Sequence, residues 1–274
     1  MAYRKIVIII ILIIFNNVFL ASQLKKSNPL RPSTGDYTQV NIGIIISAGQ
    51  NIQNGLYNVE CPDCEFKGGV GSGSMLGLYY QRGLTKNLHY GLMGFFDWWD
   101  LDNTFFEDER TLATDRESGQ EIGPFQLQFE NNSLVTLSTF SVAPYLKYQL
   151  TDWFFLRLSV PITFPFSSSL THEKKLITKT IEDNGRLYLI EQTTDPLLQE
   201  GDFPNINSPL FSLGSSFGFN IQMSERFSFN PAFYYRVGLN DVSSNGEKFR
   251  INSWRILLEF NIAISKKPSH LKTK

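Results

Sequence analysis

The sequence is short of cysteine, histidine and charge. Two Cys and three His in 274 residues leave little from which to build a disulfide framework or a metal centre. Charged residues make up 19%, below the roughly 25% of an ordinary soluble domain. Neither sign dominates, since Lys and Arg number 25 against 26 Asp and Glu. The basic excess of a nucleic-acid binder is therefore missing. Apart from one N-terminal stretch, long apolar runs are missing too. The mean hydropathy of −0.15 does not suit a bundle of membrane-spanning helices. What the chain does have is aromatic side chains. Its 23 Phe and 11 Tyr exclude a disordered chain, which lacks such residues.

The N-terminus, residues 1–22, reads MAYRKIVIIIILIIFNNVFLAS. Arg4 and Lys5 precede an apolar run at 6–15, and the small residues Ala21 and Ser22 follow. This is the layout of a secretory signal peptide. The competing reading is an uncleaved anchor helix. That would need about 20 apolar residues, and Asn16 and Asn17 interrupt this run. Residues 23–36, with two Pro and one Gly, read as a linker. It would lie in the periplasm if the chain is exported to an outer membrane.

From residue 37 the hydrophobic pattern has period two, the signature of half-buried strands. Eight segments show it, at 37–49, 75–82, 88–99, 138–149, 153–166, 210–223, 226–239 and 250–265. One face of each carries bulky residues, such as Ile42, Ile44 and Ile46, or Phe211, Leu213, Phe217 and Phe219. The other carries mainly Gly, Ser, Asn, Gln and Arg. A small soluble barrel has an interior just wide enough for side chains, and eight strands of Phe, Leu and Ile would overfill it. Turned outward, the bulky face meets lipid and the small polar face fills the lumen. Links after the second, fourth and sixth segments are short (83–87, 150–152, 224–225). Those after the first, third, fifth and seventh are long (50–74, 100–137, 167–209, 240–249). All long links then emerge at one end, as in transmembrane barrels. Trp98, Tyr90, Tyr148, Phe154, Phe227 and Trp254 fall near expected strand ends, where aromatic girdles belong. The expected fold is an all-β, eight-stranded antiparallel up-and-down transmembrane β-barrel over 37–265, followed by a short basic tail, 266–274. A soluble lipocalin-like barrel is the structural rival, and it would turn Phe211, Phe217, Phe219, Phe229 and Phe233 inward.

Two strand–turn–strand units, FSVAPYLKYQLTDWFFLRLSVPITF (140–164) and FGFNIQMSERFSFNPAFYYRVGLNDV (217–242), resemble the bacterial outer-membrane β-barrels of eight strands, OmpA-like and porin-family. The resemblance implies a bacterial outer-membrane location and a monomer in contact with lipids, lipopolysaccharide included. It also implies the barrel-assembly machinery as a partner during biogenesis. Such barrels often end on an aromatic residue, whereas this chain continues into KKPSHLKTK. That tail is too short for the peptidoglycan-binding domain that follows many OmpA-like barrels.

Few residues suggest chemistry. Cys61 and Cys64, in Cys-Pro-Asp-Cys, are the only thiols. In an exported chain a local disulfide is favoured over a redox motif or half a zinc site. Gly68, Gly69, Gly71 and Gly73 lack the Lys-Ser/Thr of a phosphate loop and read as a bend into a strand. The lumen face is expected to carry Arg82, His89, Asp97, Lys147, Arg157, Arg226, Arg236, Arg255 and Glu259. They could line an ion-selective pore or plug the barrel with salt bridges. The plug is favoured, and any residual conductance should prefer anions. His172 falls in the third long link, with no Ser–His–acid arrangement evident around it, so catalysis, a metal and a cofactor are not expected. Asp183-Asn184-Gly185 marks a hairpin at 176–193. It would rise above the membrane or, alternatively, add two strands to make ten. An acidic stretch at 107–110 and an arm at 124–130 lie in the second link. These external segments could bind a partner whose chemistry the sequence leaves open. The expected role is a structural or surface-interaction outer-membrane protein, with a narrow diffusion pore or a lipid-modifying enzyme as alternatives.

Overall fold

The computed structural model describes residues 40–58, 65–183, 185–192, 196–224 and 226–264. The signal peptide, the linker, the Cys61–Cys64 pair and the basic tail lie outside the described residues. Within them there is no helix. The strands are β1 (Val40–Asn58), β2 (Glu65–Lys67), β3 (Val70–Gly83), β4 (Leu88–Asp115), β5 (Glu121–Gln149), β6 (Phe154–Ser159), β7 (Ile162–Leu176), β8 (Thr180–Asp183), β9 (Arg186–Glu191), β10 (Leu197–Gly201), β11 (Leu210–Phe219), β12 (Ile221–Gln222), β13 (Phe227–Gly238) and β14 (Gly246–Ala263).

Antiparallel pairing runs β1–β3–β4–β5, continues through β6 and β7 to β11, then β13 and β14. The ring closes where β14 pairs β1 from Asn41↔Ala263 to Tyr57↔Gly246. β6 and β7 act as one stave, broken at Val160 and Pro161, and both pair β5 on one side and β11 on the other. The result is an eight-stave barrel. Proline has no N–H to give to a ladder, which accounts for the interruption at Pro161.

The bulky face points outward. Phe211, Phe217 and Phe219 are 43–47% exposed, and Ile44, Leu78, Leu92, Leu158 and Leu258 share that exterior. Phe229 and Phe233 are partly exposed on the same face, where Phe229 packs on Phe260 at 5.1 Å and Phe233 on Phe217 at 5.5 Å between ring centroids. The inward orientation required by the soluble rival is absent. A closed barrel wearing an apolar belt is a transmembrane barrel, because closure leaves no unpaired edge in lipid. The belt has a polar margin. Just beyond Trp98 on the exterior, Asp100 accepts hydrogen bonds from Ser72 Oγ at 2.9 Å and Thr136 Oγ1 at 3.2 Å. At the short-turn end Trp153 stacks on Phe219 at 5.8 Å.

Two expectations change. The link at 100–137 is mostly not a loop, because β4 and β5 continue as one ladder to Thr114↔Glu121. Alternation persists there, but the outer face gains polar residues, with Asp102, Thr104 and Asp108 exposed beside Phe106 and Leu112. The ten-strand alternative is not adopted. The β8–β9 hairpin turns between Asp183 and Arg186, with Gly185 at φ 76°. It pairs with β4 at Thr114↔Glu191 and Asp115↔Ile190, at the far tip of β4 and away from the ring, and packs Ile181, Tyr188 and Ile190 on the extended part of β4 and β5. With β10 paired to β7, the order β8–β9–β4–β5–β7–β10 makes a sheet projecting from the long-loop end.

The exterior assignment yields a graded prediction. Ile46→Arg, on the outer face midway along β1, should destabilise the folded barrel by about 2–4 kcal/mol. Ser47→Ala on the inner face should cost far less. Urea unfolding in lipid vesicles compares the two, and equal costs would refute the assignment of faces.

Candidate functional site

The lumen is lined by alternate residues of every stave, and large side chains sit against glycine. Gly43 lies against the Tyr79 ring, Gly91 against Tyr145, Gly73 against the Arg255 guanidinium and Gly218 against Phe155. A methyl at any of these would collide with its neighbour. Pairing small with large residues lets an eight-stranded barrel close around bulky contents. The lower layer packs Ile45, Met75, Tyr79, Met93, Phe95, Tyr145, Phe155, Tyr234 and Leu257 together. The lumen is thus richer in large aromatics than the expected small, polar filling.

Six of the expected lumen charges are inside. Asp97, Lys147, Arg157, Arg236, Arg255 and Glu259 are all buried. Arg82 is not among them. It is exposed, paired with Val40 and Tyr90 across the neighbouring strands, on the same outer face as Tyr80. Arg226 is also exposed, beside the turn into β13. His89 is half-buried on the inner face.

The interior charges fall into two centres. Arg157 grips Glu259 with both arms, Nη2 donating to Oε2 at 2.7 Å and Nη1 to Oε1. Its planar fork matches a carboxylate in this bidentate way. The guanidinium also lies 5.0 Å from the Tyr145 ring centroid. The second centre is Asp97. It accepts from Arg236 Nη2 at 2.8 Å and from Arg255 Nη2 at 3.5 Å. Arg255 also donates to Asn51 Oδ1 at 2.7 Å and to the Gln50 carbonyl at 2.9 Å, while Arg236 lies over Trp99 at 4.5 Å. Such pairing offsets part of the cost of taking charges out of water, although Arg157 Nε, Arg236 Nη1 and Arg255 Nε are buried without a partner among the described residues.

Above the belt lies a polar cluster that the sequence left unassembled. Asn103 Nδ2 donates to Tyr57 Oη at 3.0 Å, and Tyr57 donates to Ser133 Oγ at 2.8 Å. His172 is the register partner of Ser133; its Nε2 is 3.1 Å from Asn131 Oδ1. Asn131 donates to Glu107 at 3.2 Å, and Lys174 bridges Glu107 and Glu109 at 3.3 and 2.9 Å. Phe66 caps His172 edge-on at 5.2 Å. Burial pushes the His172 pKa below its ordinary value, and the nearby Lys174 charge lowers it further. Burial also raises that of the Tyr57 phenol. Sequence reasoning placed His172 in a loop because a bulge on β7, opposite Ser138 and Thr139, reverses which residues face inward above it. Ser133 and His172 are each only 1% exposed, and no hydrogen bond joins them, since the Ser133 hydroxyl is engaged by Tyr57. Among the described residues no group of His, Cys, Asp and Glu is arranged to hold a metal ion.

No protein-family model and no curated protein sequence matches the chain. Solved structures do resemble it. Outer membrane protein AlkL, solved in DMPC bilayers, is 10% identical, with 91% of this chain and 100% of that one covered at a TM-score of 0.43. Ail, the attachment invasion locus protein of Yersinia pestis, is 8% identical over 82% of this chain and 99% of that one, with a TM-score of 0.31. The outer membrane protease OmpT of Escherichia coli is 8% identical over 85% and 100%, also with a TM-score of 0.31. The barrel itself is established by its own strand pairing.

The Arg157–Glu259 pair can be isolated by mutation. Glu259→Gln strands a buried guanidinium and should cost about 3–5 kcal/mol. Arg157→Met combined with Glu259→Met should recover most of that. Denaturant titration of the wild type, Arg157→Met, Glu259→Met and the double variant in one detergent gives the double-mutant cycle, and strictly additive losses would mean the pair is not coupled.

Proposed function

We propose that the chain is a non-catalytic integral protein of a bacterial outer membrane. In this reading a filled, salt-bridged barrel anchors a projecting β-sheet that meets partners outside the cell. The observation that carries it is the β4–β5 ladder. Beyond the polar margin at Asp100↔Thr136 it continues to Thr114↔Glu121, roughly 45 Å of strand at ~3.4 Å per residue. A barrel serving only to span the bilayer has no use for that extension. The N-terminal export signal and the single-ended long links support the location. The filling of the lumen supports a plug, because aromatic side chains and two ion-pair centres occupy the space through which a solute would pass.

A hydrolase is the second reading, favoured by one observation, the Ser133–His172–Asn131 grouping. Its burial under Phe66 and Tyr57 argues against substrate access.

Two measurements separate these readings. Liposomes carrying the folded protein should swell in small sugars no faster than protein-free liposomes; rapid swelling would establish a diffusion pore instead. A fluorophosphonate probe should leave the folded protein unlabelled. Labelling that disappears in Ser133→Ala would establish a serine hydrolase.

A further inference from the structure

The charges inside the barrel do not balance. Among the described residues, the buried cations are Lys147, Arg157, Arg236 and Arg255, and the buried carboxylates within the ring are Asp97 and Glu259, the third, Asp115, lying at the far tip of β4. Glu259 is occupied on both oxygens by Arg157. Asp97 is shared by Arg236 and Arg255, and Arg255 finds its remaining acceptors in Asn51 and the backbone. Lys147 is the cation left over. It is 4% exposed, and among the described residues no oxygen accepts a hydrogen bond from it. Its contact is the face of Phe155, 3.9 Å from the ring centroid.

Its position is specific. Lys147 pairs in register with His89 on β4 and with Arg157 on β6. Directly opposed residues of this kind have Cβ atoms about 5 Å apart, so three nitrogen-bearing side chains stand side by side on adjacent staves. The His89 Nδ1 atom is also buried and without a partner. The row lies near the short-turn mouth, since β4 begins at Leu88 and β5 ends at Gln149. Above it the barrel is closed by Tyr79, Met93 and Tyr145, while Phe155, the register partner of Gln149, flanks Lys147 on the mouth side. Gln149 has its side-chain amide turned away, donating to the Asp152 carbonyl at 3.0 Å.

An ammonium withdrawn from water without a counter-charge is costly. Among the described residues Lys147 has no protein acceptor, and Arg157 Nε and His89 Nδ1 beside it are buried without a partner, so polar groups left unpaired near one mouth and backed by aromatics have the chemistry of an anion cradle. We propose that His89, Lys147 and Arg157 form a binding site for one small inorganic anion, a halide or a compact singly charged oxyanion, entering from the short-turn end. Lys147 supplies the charge, and Arg157 stays on Glu259 while adding to the positive field. Phe155 on the mouth side limits the guest to a few atoms, and Tyr79, Met93 and Tyr145 keep it from crossing the barrel.

Crystals of the folded full-length protein soaked in sodium bromide test this without any mutation. An anomalous peak should appear between Lys147 and His89, and none there at saturating bromide would overturn the proposal. In solution, the chloride-35 resonance should show saturable excess broadening with the wild-type protein. That saturable part should be lost in Lys147→Met and kept in Lys147→Arg. Both variants are first checked for the heat-modifiable gel mobility of a folded barrel. Unchanged broadening in a folded Lys147→Met protein would also overturn the proposal.

Discussion

Everything in this molecule depends on closing one ladder, the pairing of β1 with β14. In hydrocarbon no water satisfies a free N–H or C=O, so a sheet survives there only without edges. The register from Asn41↔Ala263 upward ties together segments from the two ends of the described chain. Once it forms, the period-two alternation assigns every side chain to lipid or lumen with no intermediate choice. The Ile-rich face of β1 and the Ile, Leu and Phe face of β14 are thereby driven outward together.

The interior then has to be filled under that constraint. A ring of eight staves leaves little room, and large residues enter only where a neighbour gives way. Glycine at 43, 73, 91 and 218 provides those spaces. The same crowding explains the charge arrangement. Arg157 and Arg255 cannot reach water through packed aromatics, so each is anchored by oxygen acceptors, with Glu259 and Asp97 at the centres. Packing and electrostatics are one problem here, since the rings that exclude water are also those over which the guanidinium groups lie.

Much of this was legible in the sequence because alternation is a local, repeated signal. All eight staves, the short turns and the outward Phe residues follow from it. The failures have physical causes. Arg82 shares parity with Tyr80 and faces out despite its charge, because at the rim of the barrel an outward arginine is at no disadvantage. The upper strands were read as loops because their outer face gains polar residues, but the ladder is held by backbone hydrogen bonds that are blind to this change. His172 was misplaced by a bulge on β7, a register event with no clear sequence mark. The Tyr57–Ser133–His172 cluster joins β1, β5 and β7, and such convergence is set by the ring's closure.

The unbroken register of β4 and β5, from Leu88↔Tyr148 to Thr111↔Phe125, has a mechanical meaning. No joint separates the part outside the bilayer from the part within it. A load applied at the tip runs along the strands and is met by the ladder in shear, with many bonds sharing it, and not by unzipping them one at a time. The extension is therefore a rigid lever fixed in the wall of the barrel, able to transmit torque and tension to the membrane.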